Sequence, residues 1–237
     1  MKIGLAQIQS YKGEIDNNIE KHICYIKKAI ENNCEVVVFP ELSITNYKPT
    51  TAKGFATTVE DEIFNPFQEL AEKHKITICV GMPTIAEANI LISMLIFTPN
   101  SKRKVYSKNM LHEDEIPFFS SGDCKPILNT SKHTIGIGIC YETLQKSHIK
   151  KTVDLSAELF IASVSKPDRG TDKAYINFSE MAKTYDLPIL MVNAVGNSDD
   201  FIANGKSAIW NKKGEIVNQL NETEEDLLIY DTKIETT

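Results

Sequence analysis

Cys140 closes the run Thr134-Ile-Gly-Ile-Gly-Ile-Cys-Tyr-Glu142, in which β-branched residues interrupted by glycine end on a thiol. The run reads as a strand, and the residues from Glu142 to Lys151 are compatible with a helix. That order places the sulfur at the carboxyl end of a strand and near a helix N-terminus. There the positive end of the dipole favours a thiolate, and open α/β sheets bind ligands at that edge. A thiol so placed could attack an electrophilic carbon. Alone the signal is weak, because a cysteine at a strand end is commonly a plain core residue.

Two further segments deliver chemistry to strand ends. Cys34-Glu-Val-Val-Val-Phe-Pro-Glu-Leu-Ser-Ile-Thr45 reads as a buried strand that presents Glu41 directly after a proline. Lys104-Val-Tyr-Ser-Lys-Asn-Met-Leu-His112 ends a hairpin-like stretch with Lys108. A free thiol of pKa about 8.5 is only slightly ionised at neutral pH, so it needs a base. Glu41 could be that base if burial lifts its pKa from about 4.3 toward neutrality. Taken singly, Glu41 reads as a turn carboxylate and Lys108 as one solvated lysine among many.

As a set the three residues resemble the nitrilase, or carbon–nitrogen hydrolase, superfamily: Glu, Lys and Cys in that order, each leaving a strand. The cores Phe39-Pro-Glu-Leu42, Tyr106-Ser-Lys108 and Gly138-Ile-Cys-Tyr-Glu142 carry the resemblance, which runs from Met1-Lys-Ile-Gly-Leu-Ala-Gln-Ile8 to Ala203-Asn-Gly-Lys-Ser-Ala-Ile-Trp-Asn-Lys-Lys-Gly-Glu-Ile216. It implies an α/β fold, a four-layer α-β-β-α sandwich with mixed sheets, as a single domain over 1–237. It implies Cys140 as nucleophile, Glu41 as general base and Lys108 as a fixed cation, with the backbone N–H of Tyr141 as a second oxyanion donor. Relatives also carry a second glutamate in the loop after the lysine. In Leu111-His-Glu-Asp-Glu-Ile-Pro-Phe-Phe-Ser-Ser-Gly-Asp123 three consecutive acids compete for that place, Glu113, Asp114 and Glu115. Glu115, ahead of Ile-Pro-Phe-Phe, fits that pattern best, with Glu113 second; without the resemblance this is an acidic surface loop.

Ser163-Val-Ser-Lys-Pro-Asp-Arg169 leaves a strand at the same sheet edge, where relatives contact substrate. Lys166 and Arg169 are candidates to meet a substrate carboxylate, or are simply solvated. The chain departs from the family at Thr143-Leu-Gln-Lys-Ser-His148, where many members have an arginine and Phe-Pro-Glu, and at Met181-Ala-Lys-Thr-Tyr185, where many have Arg-Ala-x-Glu-Asn. With its last strand close to Thr237, the chain is expected to lack the long C-terminal arm of some relatives.

The implied activity is hydrolysis of a small linear amide through a thioester, with release of ammonia and no cofactor or metal. A nitrile or N-carbamoyl-amine substrate is the alternative within the superfamily. The rivals from other classes are a thiol peroxidase or acyltransferase, and a non-catalytic binding protein on the same fold. No Gly-x-Ser-x-Gly elbow is present. Gly136-Ile-Gly138 lacks the third glycine of a dinucleotide fingerprint.

The elements that must position these residues follow from periodicity. A strand is expected over 3–8 and an amphipathic helix over about 15–32, striped by Ile15, Ile19, Ile23, Ile26 and Ile30. A strand over 35–39 follows, then a helix capped by Asn65 with Pro66 at its first turn and running to His74. Strands are expected over 77–82, 89–97, 103–107, 159–163, 188–193 and 227–233, and a helix over 173–185. A hairpin of 205–210 and 215–219 turns at Lys212-Lys213-Gly214. His112, His133 and His148 read as hydrogen-bonded surface or loop residues. The resemblance implies a homodimer paired through the segments 142–151 and 172–185, which here carry the apolar residues Leu144, Ile149, Ala174, Ile176 and Met181.

A net charge of −6 with only two arginines, Arg103 and Arg169, argues against nucleic acid as a partner. Five cysteines with no Cys-x-x-Cys pair, and His22-Ile-Cys24 without further ligands, indicate neither a disulfide framework nor a metal site. The run from Ile90 to Phe97 is too short to span a bilayer. Gln7 and Gln9 break any signal-peptide core. A reduced, cytoplasmic location with no membrane partner is the expectation.

Overall fold

In β1 (Lys2–Gln7) the side chains of Ile3 and Leu5 enter one apolar cluster while Ala6 enters another, the two-residue alternation of a strand buried on both faces. The same division recurs along the chain and defines the layers. The computed structural model describes residues 1–233. The chain end at Thr237, on which the expectation about a C-terminal arm rests, lies outside the described residues.

After β1 come α1 (Ile15–Glu31), β2 (Val36–Val38), α2 (Asn65–His74), β3 (Thr77–Ala86), β4 (Asn89–Phe97) and β5 (Lys104–Ser107). The second half comprises β6 (Ile127–Asn129), β7 (Thr134–Ile139), α3 (Lys146–Asp154), β8 (Leu159–Val164), α4 (Asp168–Tyr185), β9 (Ile189–Asn193), β10 (Val195–Asn197), β11 (Ile202–Asn204), β12 (Ala208–Trp210), β13 (Ile216–Gln219) and β14 (Asp226–Asp231). Two six-stranded mixed sheets result, ordered β14-β1-β2-β3-β4-β5 and β13-β12-β9-β8-β7-β6, with β10 and β11 forming a short ribbon. β1, β2 and β3 run parallel, as do β7, β8 and β9.

Ile3, Leu5, Val36, Val38, Ile135, Ile137, Ile139 and Ile161 share the cluster between the sheets. Ile26, Phe39, Phe64, Phe67 and Phe97 fill the layer under α1 and α2. Phe160, Phe178, Met181 and Trp210 fill the layer under α3 and α4. This is the four-layer α-β-β-α sandwich. Gly136 and Gly138 now have a physical reason: a Cβ on either would lie 2.8 Å from Thr152 or His148 of α3, so the glycines let that helix rest directly on β7.

Several local expectations are corrected. The stretch after Cys140 is not one helix. A 3-10 turn over Cys140–Leu144 comes first, and α3 starts only at Lys146. Helix α4 begins at Asp168, five residues before the periodic stretch, because Pro167 immediately precedes its first turn. Asn65 does not cap α2; its side chain instead accepts from Arg103. His148 is neither on the surface nor in a loop. It is buried in α3 with Nε2 3.0 Å from the Ile137 carbonyl, inside the gap that Gly138 leaves. Strands β6, β10 and β11, three residues each, were too short for a period to show. Of the residues expected at a dimer interface, Ile149, Ala174 and Met181 are buried in the chain's own core, and Leu144 packs against it. Only Ile176 stands clear, 72% exposed.

Candidate active site

Glu41, Lys108, Cys140 and Lys166 each follow the carboxyl end of a strand, and the two sheets bring those ends together, while Glu115 comes from the loop after β5. Phe39 and Pro40 carry the chain out of β2 to Glu41, and the Phe39 carbonyl accepts from Ser163 Oγ of β8 at 2.8 Å, tying the sheets at this edge. Gly81 of β3 makes room for the turn: a Cβ there would lie 2.3 Å from the Leu42 nitrogen and 2.5 Å from the Pro40 oxygen. Lys108 follows β5, its N–H donating to the Ile92 carbonyl and its carbonyl accepting from Gly122. Cys140 follows β7 with φ of +46°, a left-handed conformation uncommon for a side-chain-bearing residue and one in which strain concentrates at functional sites.

Lys108 Nζ donates to Glu41 Oε1 at 2.9 Å and to Glu115 Oε1 at 2.6 Å, and all three side chains are buried. Glu115 is further held by the Tyr47 hydroxyl at 3.1 Å and by the His112 N–H at 2.8 Å. Glu113 has no place in this cluster and stays exposed on the loop. The other oxygen of Glu41, Oε2, is buried with no hydrogen-bond partner among the described residues. Burial pushes the Glu41 carboxyl above the ordinary carboxylate range; Lys108 opposes the shift and Glu115 adds to it. For Lys108 burial alone would lower the pKa, but Glu41, Cys140 and Glu115 outweigh it and hold the ammonium charged.

The thiol departs from the expectation that a helix N-terminus favours its thiolate. Burial, then the Glu41 charge, pushes Cys140 up to about 11, against the pull of Lys166 and Lys108. The dipole of a long helix is not there to help, since α3 begins six residues later. A resting thiol therefore needs proton removal, and a carboxylate with a raised pKa is suited to that task.

Cys140 opens into a cavity of about 520 Å³, within the usual range for small-molecule sites. Tyr47, Phe118, Tyr141 and Phe201 supply aromatic walls, and His112, Asp114, Ser165, Lys166 and Lys173 supply polar ones. Tyr141 thus lines the cavity beside the thiol. Lys166 is 6% exposed with Nζ 3.6 Å from Cys140 Sγ. Arg169 is exposed on the first turn of α4 and does not line the cavity. A second cavity of about 510 Å³, lined by Ile209, Asn218, Tyr230 and Asp231 among others, contains no thiol and no imidazole.

Two residues that sequence reading left without a role shape the site. Tyr47 reaches Glu115 across 68 positions of sequence, and no local spacing announces it. Glu142, buried, accepts from Ile139 N at 2.8 Å and Tyr106 hydroxyl at 2.7 Å through Oε1, and from Asn109 N at 2.7 Å and Met110 N at 3.2 Å through Oε2. One carboxylate therefore joins the turn bearing Cys140 to the segment after Lys108. Its position two residues beyond the cysteine was the available signal.

The sequence model of the carbon-nitrogen hydrolase family matches residues 2–237. The chain belongs to the carbon–nitrogen hydrolase family. It is 26% identical over 241 residues to a glutamine-dependent NAD(+) synthetase from Acinetobacter baylyi, a match that takes in 99% of this chain and 44% of that protein. The hydrolase chain thus spans less than half the length of that relative. It is 25% identical to a probable nitrilase from Schizosaccharomyces pombe, covering 97% of this chain and 88% of that protein. Among solved structures an amidase from Nesterenkonia sp. AN1 superposes with a TM-score of 0.88 at 18% identity, covering 98% of this chain and 92% of that one. A cysteine-to-alanine variant of that amidase in complex with butyramide gives a TM-score of 0.89 at 17% identity, covering 99% and 92%. At these identities the structural likeness speaks for the fold alone.

Proposed function

We propose that this carbon–nitrogen hydrolase cleaves a small linear amide through a thioester on Cys140, releasing ammonia. The observation that carries the reading is the buried Glu41 beside Lys108: one oxygen bound to the ammonium, the other without a partner among the described residues, in the cluster whose charges act on the Cys140 thiol.

Glu41 removes the thiol proton as sulfur bonds to the amide carbon, and the carbonyl electron pair moves to oxygen. An ammonium has three donors. Lys108 commits one to Glu41 and one to Glu115, and the third meets the developing oxyanion together with the Tyr141 N–H. Collapse of the tetrahedral adduct breaks the C–N bond, with Glu41 returning its proton to the departing nitrogen. Water, deprotonated by Glu41, then cleaves the thioester to acid and free thiol. Glu115, held by Tyr47 and the His112 N–H, fixes Lys108 from the far side.

The aromatic cavity walls and the butyramide named in the complex of the similar amidase support a short neutral amide. The synthetase relative, glutamine-dependent by name and matched across 99% of this chain, supports a second reading in which the amide is the glutamine side chain. Ammonia release from butyramide, glutamine, N-carbamoyl-β-alanine and butyronitrile separates the readings. Turnover of butyramide or glutamine, lost in Cys140→Ala, is expected. Release only from the carbamoyl compound or the nitrile would move the enzyme to another branch of the family, and release from none would remove the hydrolase reading. A homodimer belongs to the same proposal, on the narrowed ground of exposed Ile176. A solution mass near 26.6 kDa, unchanged on concentrating, would remove it.

A further inference from the structure

Lys166 is a buried lysine with no carboxylate in ion-pair contact among the described residues. Among the described residues the only hydrogen-bond partner of its Nζ is Cys140 Sγ, at 3.6 Å. Its backbone is clamped on both sides by Asn193, which accepts from Lys166 N at 2.8 Å and donates to Lys166 O at 3.2 Å, while Asn204 N donates to the same oxygen at 2.9 Å. Pro167 and the start of α4 then fix the direction of the chain. The side chain is therefore aimed at the sulfur from β8, opposite in origin to Lys108, which arrives from β5.

The charges around the sulfur give this placement a purpose. Glu41 and Glu115 bring two negative charges to the buried cluster and Lys108 one positive charge, so the cluster facing the thiol is one charge short of neutral. Forming a thiolate beside it would be opposed by that excess. Lys166 supplies the missing positive charge on the cavity side. Tyr47, His112, Asp114, Lys173, Asp199 and Asp200 also face the same space from their own segments. Of these, Asp199 is paired with Lys48 at 3.0 Å.

We propose that Lys166 is a further catalytic residue, the counter-ion that stabilises the Cys140 thiolate as Glu41 takes the thiol proton. The proposal rests on Cys140 being the nucleophile. The step balances simply: the S–H bond breaks, the proton passes to a Glu41 oxygen, both electrons stay on sulfur, and a Lys166 N–H donates to the sulfur anion without any bond to nitrogen being made. The direction in which Lys166 moves the thiol, downward against burial and Glu41, agrees.

The test is the rate of alkylation by iodoacetamide against pH, without substrate, on the intact protein and on Lys166→Met, Lys166→Gln and Lys166→Arg, with the modified cysteine mapped by peptide mass. Alkylation at Cys140 is expected to slow about tenfold at neutral pH in the Met and Gln variants. Its midpoint should move up by about one unit, since one unit is a factor of ten in thiolate below the midpoint. The Arg variant, which keeps a cation, should stay within a few-fold of wild type. Melting followed by circular dichroism accompanies each variant; if the Met variant does not fold, the Gln variant carries the comparison.

Unchanged rate and midpoint in the Met and Gln variants would overturn the proposal, as would an Arg variant as slow as Met. If alkylation is unchanged while kcat/KM for succinamate falls far more than for butyramide, Lys166 anchors a substrate carboxylate instead, and the thiolate role is wrong. Wild-type protein that keeps full amide turnover after Cys140 has been alkylated would overturn the nucleophile reading itself, and this inference with it.

Discussion

Lys108 Nζ lies 2.9 Å from Glu41 Oε1, and neither side chain has any solvent exposure. Taking away one partner of a buried pair leaves an uncompensated charge, typically at a cost of about 3–5 kcal/mol. Lys108→Met leaves Glu41 and Glu115 with no cation between them and should lose about that much stability in urea unfolding. It should also lose at least the roughly 10²–10³ in kcat that removal of one oxyanion donor brings. Glu41→Gln keeps an acceptor toward Lys108 and should fold with a melting temperature close to wild type while losing turnover. A Lys108→Met protein as stable as wild type would mean the pair is not held as described.

In the proposed mechanism the raised Glu41 pKa sets the acid limb of the rate profile. A base must be ionised, so kcat/KM should fall as pH drops through the Glu41 pKa, with a midpoint above the ordinary 4.5 because burial raises it. A rate that holds flat down to pH 4 would contradict the assignment of Glu41 as the base.

Gly81 is a positioning residue for Glu41. A methyl group at its Cα would press on the backbone of Pro40 and Leu42, neither of which is a flexible side-chain end. Gly81→Ala should therefore displace the Glu41 turn and lower kcat by more than tenfold, because small misplacements of a catalytic group are costly. Wild-type kcat in Gly81→Ala would show that the turn tolerates the shift.

Glu142 accepts four hydrogen bonds, and an amide in its place would turn a donor toward two of those N–H or O–H groups. Glu142→Gln should cost about 2–4 kcal/mol of stability. Because it holds the cysteine turn to the segment after Lys108, the variant should also reduce kcat with little change in KM for a short amide. A fall in stability alone, with kcat preserved, would make the carboxylate purely structural.

His22 lies fully buried beneath the Glu41 turn. Its Nδ1 is 2.6 Å from the Asn18 carbonyl, which requires that nitrogen to be the donor, so Nε2 accepts from Ser43 Oγ at 2.9 Å. Burial lowers its pKa from 6.5 to about 3. A group with a depressed folded pKa takes up its proton in the unfolded chain first, so stability is lost as pH falls below 6.5 and continues to be lost until about 3. Between pH 7 and pH 5 the loss from His22 alone should be about 2 kcal/mol. His22→Phe should flatten that part of the urea-unfolding pH profile; an unchanged slope would mean that His22 is charged in the folded state.

The strand-end positions of Glu41, Lys108 and Cys140 are legible in the residues themselves, whereas their grouping as one site rests on the resemblance of the three motifs taken as a set. Glu115 was legible only through the resemblance, since spacing in its loop does not separate it from Glu113. Glu142 acts across the two sheets, whereas Tyr47 and the Asn193 clamp join segments that leave strands of one sheet; in each case which strand ends meet is decided by sheet order rather than by local period. The direction of the Cys140 shift was misread for a related reason. The residues after the thiol have helical composition, but Cys140–Leu144 form a tight 3-10 turn, and the charges that act on the sulfur come from β2, β5 and β8.

The most direct test of the account is the covalent intermediate. Intact-mass measurement of the enzyme quenched during butyramide or glutamine turnover, followed by peptide mapping, should find an acyl group on Cys140. No acyl group should appear in Cys140→Ala, and replacement of Cys24, Cys34, Cys79 or Cys124 should leave the adduct in place. An acyl adduct on another cysteine, or ammonia release at wild-type rate from Cys140→Ala, would contradict it.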